Sequence, residues 1–225
     1  MLLIPIPIII AGGIIIGGTI AFFFLRKKAN EKLKNKSVIM LGPSQSGKTT
    51  IINWLCNDKP TTEYFATGSE NEVGTKYTNG YTISYWDMGG DSGLLTDGKF
   101  EIEFTKHDVV LFVFDINKYS LDSKYKSDVN ARLEALKIIS ERHPMMKKVI
   151  MLIGSHADCY KKSKGITDDN ELAHVFQDEL TNLLKQKNYY QFVQSHYLIL
   201  ADLTKQKEIA GILKRLNEEL KKLER

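Results

Sequence analysis

The 225-residue chain has room for one domain of ordinary size and one appendage. Its formal net charge of +4 is unevenly placed: Arg26, Lys27, Lys28, Lys32, Lys34 and Lys36 stand against Glu31 alone in residues 26–36, and the rest of the chain sums to −1. The basic balance therefore belongs to one short stretch, which argues against a nucleic-acid surface on the domain, and two distant cysteines, Cys56 and Cys159, exclude a disulfide framework and a cysteine-rich metal site.

Residues 2–25 contain no charged side chain and only Thr19 as a hydroxyl, which is long enough for a membrane-spanning helix. Pro5 and Pro7 stand where a helix can open, and from Pro7 to Leu25 a helix would rise about 28 Å, close to the hydrocarbon thickness. A cleaved signal peptide needs its basic segment before the apolar run, whereas here the positive charge follows it. The expectation is a single-pass anchor over 1–25 set in the lipid bilayer, a basic juxtamembrane linker over 26–36, and a cytoplasmic domain over 37–225, oriented by the positive-inside rule. Gly13, Gly17 and Ala21 form a small-xxx-small ridge on which a partner helix could pack, although glycine is also common in membrane spans.

Next, Val38–Leu41 reads as a buried strand, and Thr50–Leu55 as the start of a helix. Between them Gly42-Pro43-Ser44-Gln45-Ser46-Gly47-Lys48-Thr49 fits the phosphate-binding pattern GxxxxGK[ST] in the strand–loop–helix context that the pattern requires. Residues Ser44, Gln45, Ser46, Gly47, Lys48, Thr49 and Thr50 are the expected nucleotide contacts. Backbone N–H groups at a helix N-terminus favour an anion, Lys48 reaches the β- and γ-phosphates, and the Thr49 hydroxyl ligates Mg²⁺.

Residues 57–73 show no clear periodicity. Thr75–Thr78 and Tyr81–Trp86 then read as two strands joined by Asn79-Gly80, and the second ends in Asp87-Met88-Gly89-Gly90. A loop-rich segment with Gly93 and Gly98 runs to about Lys106. Val109–Asp115 is a continuous apolar run, as in a strand buried on both faces. Helical spacing follows at Val129, Leu133, Leu136 and Ile139, then a buried strand over Val149–Ile153, helix-start residues at Thr167–Asn170, a last strand over Tyr197–Leu200, and an apolar helical stripe from Ile209 to Leu223. The fold class that results is α/β: a P-loop nucleotide-binding domain with a doubly wound, mostly parallel, six-stranded sheet and one antiparallel hairpin.

Asp87, at a strand end 39 residues after Lys48, is placed to hold Mg²⁺ through a water, and the Gly90 N–H to meet a γ-phosphate. With these residues the chain resembles the Ras superfamily of small GTPases, and its Trp86-Asp87-Met88-Gly89-Gly90 run is most like the W-D-x-G-G of Arf-related proteins and Gα subunits. An anchor ahead of such a domain is similar to the beta subunits of signal recognition particle receptors. The resemblance implies GTP/GDP and Mg²⁺ as ligands, and a protein effector or receptor subunit docking on the segments near 59–75 and 91–106.

In that family N-K-x-D reads guanine, and here Ser155-His156-Ala157-Asp158 stands in its place. Asp158 can accept from guanine N1–H and the 2-amino group together, which adenine cannot match. His156 lies where the lysine stem covers the base, and Ser155 is expected to be too short to copy all of the asparagine's bridging to the phosphate loop. Ala201 corresponds to the alanine whose backbone N–H meets guanine O6. For the threonine that closes over Mg²⁺, Thr75 is the candidate and Thr67 the alternate, while alignment to Arf proteins places Glu72 there. The family's water-orienting glutamine is Asp91 in this chain, and no arginine occurs between Arg26 and Arg132. Asp91 and Lys48 are thus the catalytic candidates, with hydrolysis expected to be slow or partner-dependent. Two functional classes stay open: a GTP switch that recruits a partner, and a non-cycling nucleotide-binding scaffold. An ATP-using P-loop enzyme would leave Asp158 without a role.

Overall fold

The computed structural model describes residues 8–10, 18–32, 36–57, 70–78, 81–88, 98–196 and 198–223. In chain order its elements are β1 (Ile8–Ile10), α1 (Gly18–Lys32), β2 (Ser37–Leu41), α2 (Lys48–Asn57), β3 (Glu70–Thr78), β4 (Tyr81–Met88), α3 (Lys99–Lys106), β5 (Val109–Asp115), α4 (Ile116–Leu121), α5 (Ser123–Arg142), β6 (Val149–Ser155), α6 (Ala157–Lys164), α7 (Asp169–Leu184), α8 (Tyr190–Ser195), β7 (Leu198–Leu200) and α9 (Gln206–Leu223). The strands form one sheet in the order β1-β7-β6-β5-β2-β4-β3. Every pairing is parallel except the hairpin of β3 with β4.

The parallel strands read as unbroken apolar runs because both of their faces are covered. Val110, Phe112, Phe114, Leu152, Leu198 and Leu200 face a core shared with α3, α5, α6 and α7. Val109, Leu111, Val113, Met151, Ile153 and Ile199 face the opposite core, closed by α1, α2 and α9. Helix starts follow side-chain capping: Asp122 accepts from the Lys124 and Tyr125 amides at 2.8 and 3.0 Å, and Asp168 from those of Asn170 and Glu171 at 3.0 Å each. The segment read as loop up to Lys106 instead becomes helical right after Gly98, because Phe100 and Phe104, one turn apart, both enter the core.

The apolar N-terminus departs from the expected span. Ile8–Ile10 pair in parallel with Leu198–Leu200, adding a seventh strand to the expected six. The helix that follows has 15 residues, and its second half carries Arg26, Lys27, Lys28, Glu31 and Lys32. It passes through the boundary expected between anchor and linker. Among the described residues no helix is long and apolar enough to cross a membrane, which overturns the single-pass localisation. The physical reason is that described parts of the apolar run pack within the protein, although Phe23 and Phe24 stay exposed. Phe22 and Ala29 are buried in the core beneath α9, the Phe22 ring meets Trp54 edge-on at 5.8 Å, and Asn217 Nδ2 donates to Leu25 O at 3.1 Å. Gly13 and Gly17 of the proposed helix-packing ridge lie outside the described residues, and Ala21 sits in α1.

Docking of α1 makes a stability prediction. Phe22→Ala should cost about 3 kcal/mol, as removal of a buried aromatic ring does, whereas Phe24→Ala, at an exposed position, should stay within about 0.5 kcal/mol. Urea denaturation of the full chain reads both. An unchanged midpoint for Phe22→Ala would mean that α1 is not part of the folded core.

Candidate functional site

At the C-terminal edge of the sheet three turns converge: β2 into α2, β5 into α4, and β6 into α6. This is where open parallel α/β sheets form their ligand crevice. The β2–α2 loop contains the GxxxxGK[ST] residues. Gly42 has φ 138°, and a Cβ there would stand 1.9 Å from Val113 O, so the loop lies directly on the β5 backbone and only glycine fits. Gly47 has φ 94°, with a hypothetical Cβ 2.6 Å from Leu203 Cδ1. Gln45 takes φ 59° without being glycine, a backbone cost of the sort that functional loops carry. Lys48 is buried, and its ammonium donates to Pro43 O at 2.9 Å and Gly42 O at 3.2 Å. The α2 ladder opens with Ile51 N–H on Gly47 O at 3.2 Å, so the amides of its first turn precede the helical bonds and form the anion-binding end.

The β5–α4 turn is built on Asp115. Its Oδ1 accepts from the Lys118 amide at 2.9 Å, capping α4, and its own N–H donates to the Tyr125 hydroxyl at 2.8 Å. Burial pushes the Tyr125 phenol far above its usual range, so it stays neutral. Asp115 Oδ2 lies 3.3 Å from His156 Nδ1. One turn further, Lys118 Nζ donates to the phosphate-loop side chain of Gln45, at 2.9 Å from Oε1.

From β6, the fully buried Ser155 places Oγ 2.7 Å from Ser46 O, 3.2 Å from Phe114 O and 2.8 Å from His156 Nδ1. A hydroxyl has one proton to donate. The shorter contact assigns it to Ser46 O, and His156 Nδ1–H then donates to Ser155 Oγ. The serine thus reaches the phosphate loop with one bond, although it is too short to copy all of the asparagine's bridging. The reason is the close approach of the two turns: a Cβ on Gly47 would be 3.7 Å from Ser155 Cβ. His156 holds a left-handed conformation, φ 57° and ψ 38°, that turns the chain into α6.

Asp158 projects from the first turn of α6 and is exposed. Nearby, Lys205 pairs with Asp202 at 2.9 Å. Burial opposes ionisation of Asp202, but hydrogen bonds from Thr204 and Lys205 prevail and hold its carboxyl below the usual range. Ala201 does not play its expected part: its N–H donates to Gly154 O at 2.9 Å, continuing the sheet, and is not available to a base.

Backbone register places the remaining candidates. Asp87 pairs with Met40 across β4 and β2, at the strand ends beside the phosphate loop. Thr75 is opposite Ser84, which in turn pairs with Ser37, the first residue of β2. That is the far end of the sheet, about 10 Å along the strand from Asp87 at 3.4 Å per residue. The register removes Thr75 as a ligand to an ion shared with Thr49 and Asp87. Glu72, opposite Trp86, lies nearer. Thr67, Gly90 and Asp91 lie outside the described residues. Asp115, Lys118 and Tyr125 were not among the sequence candidates; an acid ending a fully buried run at the edge of a parallel sheet was the available signal. Arg132 is buried and paired to Asp128 at 3.0 Å, so it is not placed to act as an arginine finger.

Residues 23–174, about two thirds of the chain, match the sequence model of the ADP-ribosylation factor family. ADP-ribosylation factor-like protein 2 of Drosophila melanogaster is similar, 34% identical over 73 residues, which is 32% of this chain and 39% of that relative. The chain thus spans about two fifths of the length of the curated relative it matches.

The Ser155–Ser46 bond is testable on its own. Ser155→Ala leaves a buried carbonyl without its donor and should cost about 1–3 kcal/mol, read as a lower denaturation midpoint. Equal midpoints would show that β6 does not hold the phosphate loop.

Proposed function

Because the chain belongs to the ADP-ribosylation factor family, we propose that it is a guanine-nucleotide switch that binds GTP and GDP with Mg²⁺ and recruits a protein partner through residues 59–75 and 91–106. The reading is carried by one observation: the phosphate loop and the Ser155–Asp158 loop are tied together by Ser155 Oγ on Ser46 O. Phosphate and base are thereby to be gripped at a fixed separation. The domain over 37–225 holds the site, with α1 docked on its α9 face.

The donor set fits such a ligand: Gly42 and Gly47 let the loop pack down on Val113 and Leu203, where a Cβ would clash, Lys48 brings a cation to the loop, and Thr49 and Asp87, at the strand end beside the loop, are proposed to flank a divalent ion. Bound Mg²⁺ would neutralise phosphate charge as it develops. Asp158 is proposed to accept from the guanine edge, and the His156 ring to lie against the base. GTP hydrolysis is proposed to be slow or to need a partner. Asp91 brings a short anion where the family has a glutamine, and Arg132 is sequestered in α5. Asp91 also favours a second reading, a non-cycling scaffold that holds nucleotide for stability and docks a partner. A GTP-dependent change in hydrogen exchange over 59–75 and 91–106 marks the switch, and identical exchange with GTP and GDP marks the scaffold.

Two measurements test the proposal. Asp158→Ala should weaken GDP and GTP by about 100-fold while leaving any ATP binding unchanged, as expected when a site built to hydrogen-bond one base loses its acceptor; retention of full GTP affinity would remove the guanine reading. Single-turnover phosphate release should run well below about 1 per second without a partner, and a faster rate would overturn the proposed catalytic deficit.

A further inference from the structure

We infer that Lys118 is a nucleotide-binding residue, a second cation that meets the ribose–phosphate joint from the β5–α4 turn. The inference rests on the guanine-nucleotide reading of the same site. Its first support is position. Lys118 Nζ lies 2.9 Å from Gln45 Oε1, and Gln45 is a phosphate-loop residue three places before Lys48. The second is electrostatic. Among the described residues its ammonium meets neutral groups, the Gln45 amide oxygen and the Tyr125 ring face 5.9 Å away. A cation with no carboxylate partner at the rim of an anion-binding loop gains when a phosphate oxygen replaces a neutral amide oxygen, because charge-assisted hydrogen bonds are the stronger class.

The third support is the way the same turn holds both loops. The Lys118 amide is fixed on Asp115 Oδ1, the Asp115 amide on the Tyr125 hydroxyl, and Asp115 Oδ2 faces His156 Nδ1 at 3.3 Å. With Nδ1 engaged by Ser155 and Asp115, the imidazole is held at the base loop. A lysine at position 156 would provide both a stem along the base and an ammonium at the phosphate loop. Here the two parts come from different elements: a flat ring from β6–α6 and a charge from β5–α4. A nucleotide whose base reaches Asp158 and whose β-phosphate enters the loop brings its ribose and α-phosphate between them, beside Lys118.

The test uses the full chain with Mg²⁺ and N-methylanthraniloyl-GDP, following affinity and release by fluorescence. Lys118→Met keeps the apolar stem and should weaken binding by about tenfold or more, chiefly through faster release, while Lys118→Arg should stay within about threefold of the wild type. Adding His156→Lys to Lys118→Met should recover most of the loss, because an ammonium returns to the same place from the other loop; a merely structural role for Lys118 predicts no such recovery. Affinity of Lys118→Met within about twofold of wild type, or a loss that His156→Lys does not relieve, overturns the assignment. A wild-type chain that does not retain the GDP analogue sinks the guanine reading instead, whereas a wild type that binds with Lys118→Met unchanged sinks only the role of Lys118.

Discussion

The site depends on how closely the loop after β2 lies against β5. A Cβ at Gly42 would stand 1.9 Å from Val113 O, so the loop rests backbone on backbone before it turns toward α2. That contact sets the level of Ser46 relative to the end of β6, and Ser155 then needs only a single-carbon side chain to reach it at 2.7 Å. Asp115, at the end of the β5 that Gly42 rests on, carries the third turn. Three turns from strands well separated in sequence are thereby held at fixed heights above one sheet edge. The sheet itself is kept rigid by cores on both of its faces.

The N-terminal segment shows how composition underdetermines placement. An uncharged apolar run satisfies a bilayer, a doubly buried strand and a helix packed on a core equally well, since each removes the same side chains from water. What separates them is the partner. β7 has an open edge that Ile8–Ile10 complete, and α9 has an apolar stripe that Phe22 and Ala29 extend. Arg26, Lys27, Lys28, Glu31 and Lys32, read as part of a linker, belong to the same helix. Lys27 and Lys28 point outward while Arg26 lies on the buried side beside Ala29, so the helix is two-faced, not uniformly apolar.

Much of the fold was legible because its signals are local. The phosphate loop was found by eight consecutive residues, the strands by continuous apolar runs, and the start of α7 by Asp168. Apart from α3, whose Phe100 and Phe104 are a local signal, the misses concern relations between separated parts of the chain. β1 required knowing an edge some 190 positions away. Thr75 seemed suitable by residue type, and only the pairing Thr75–Ser84–Ser37 reveals that it sits at the wrong end of the sheet. The single bond of Ser155 to the phosphate loop likewise depends on the separation of two backbones, which no local pattern encodes. Ala201 was matched by its place after the last strand, but its N–H remains in the ladder. Lys118 reaches across 73 positions to Gln45, and nothing in the sequence around either residue indicates that contact.

The partners of the lysines around this crevice divide them by function. Lys48 rests on the carbonyl oxygens of Gly42 and Pro43, and Lys118 on the amide oxygen of Gln45. Lys118, held among the described residues by a neutral oxygen, can exchange it for a phosphate oxygen with a net gain. Lys205 is different. It is paired to Asp202 at 2.9 Å and its ammonium is held above its usual range, chiefly by that hydrogen bond. Drawing it toward a ligand would take the counter-charge from the buried Asp202 carboxylate and leave it to the Thr204 hydrogen bonds, a cost that opposes the move. Lys205 is thus committed to shaping the base loop, and of these two lysines Lys118 is the one able to turn toward a ligand.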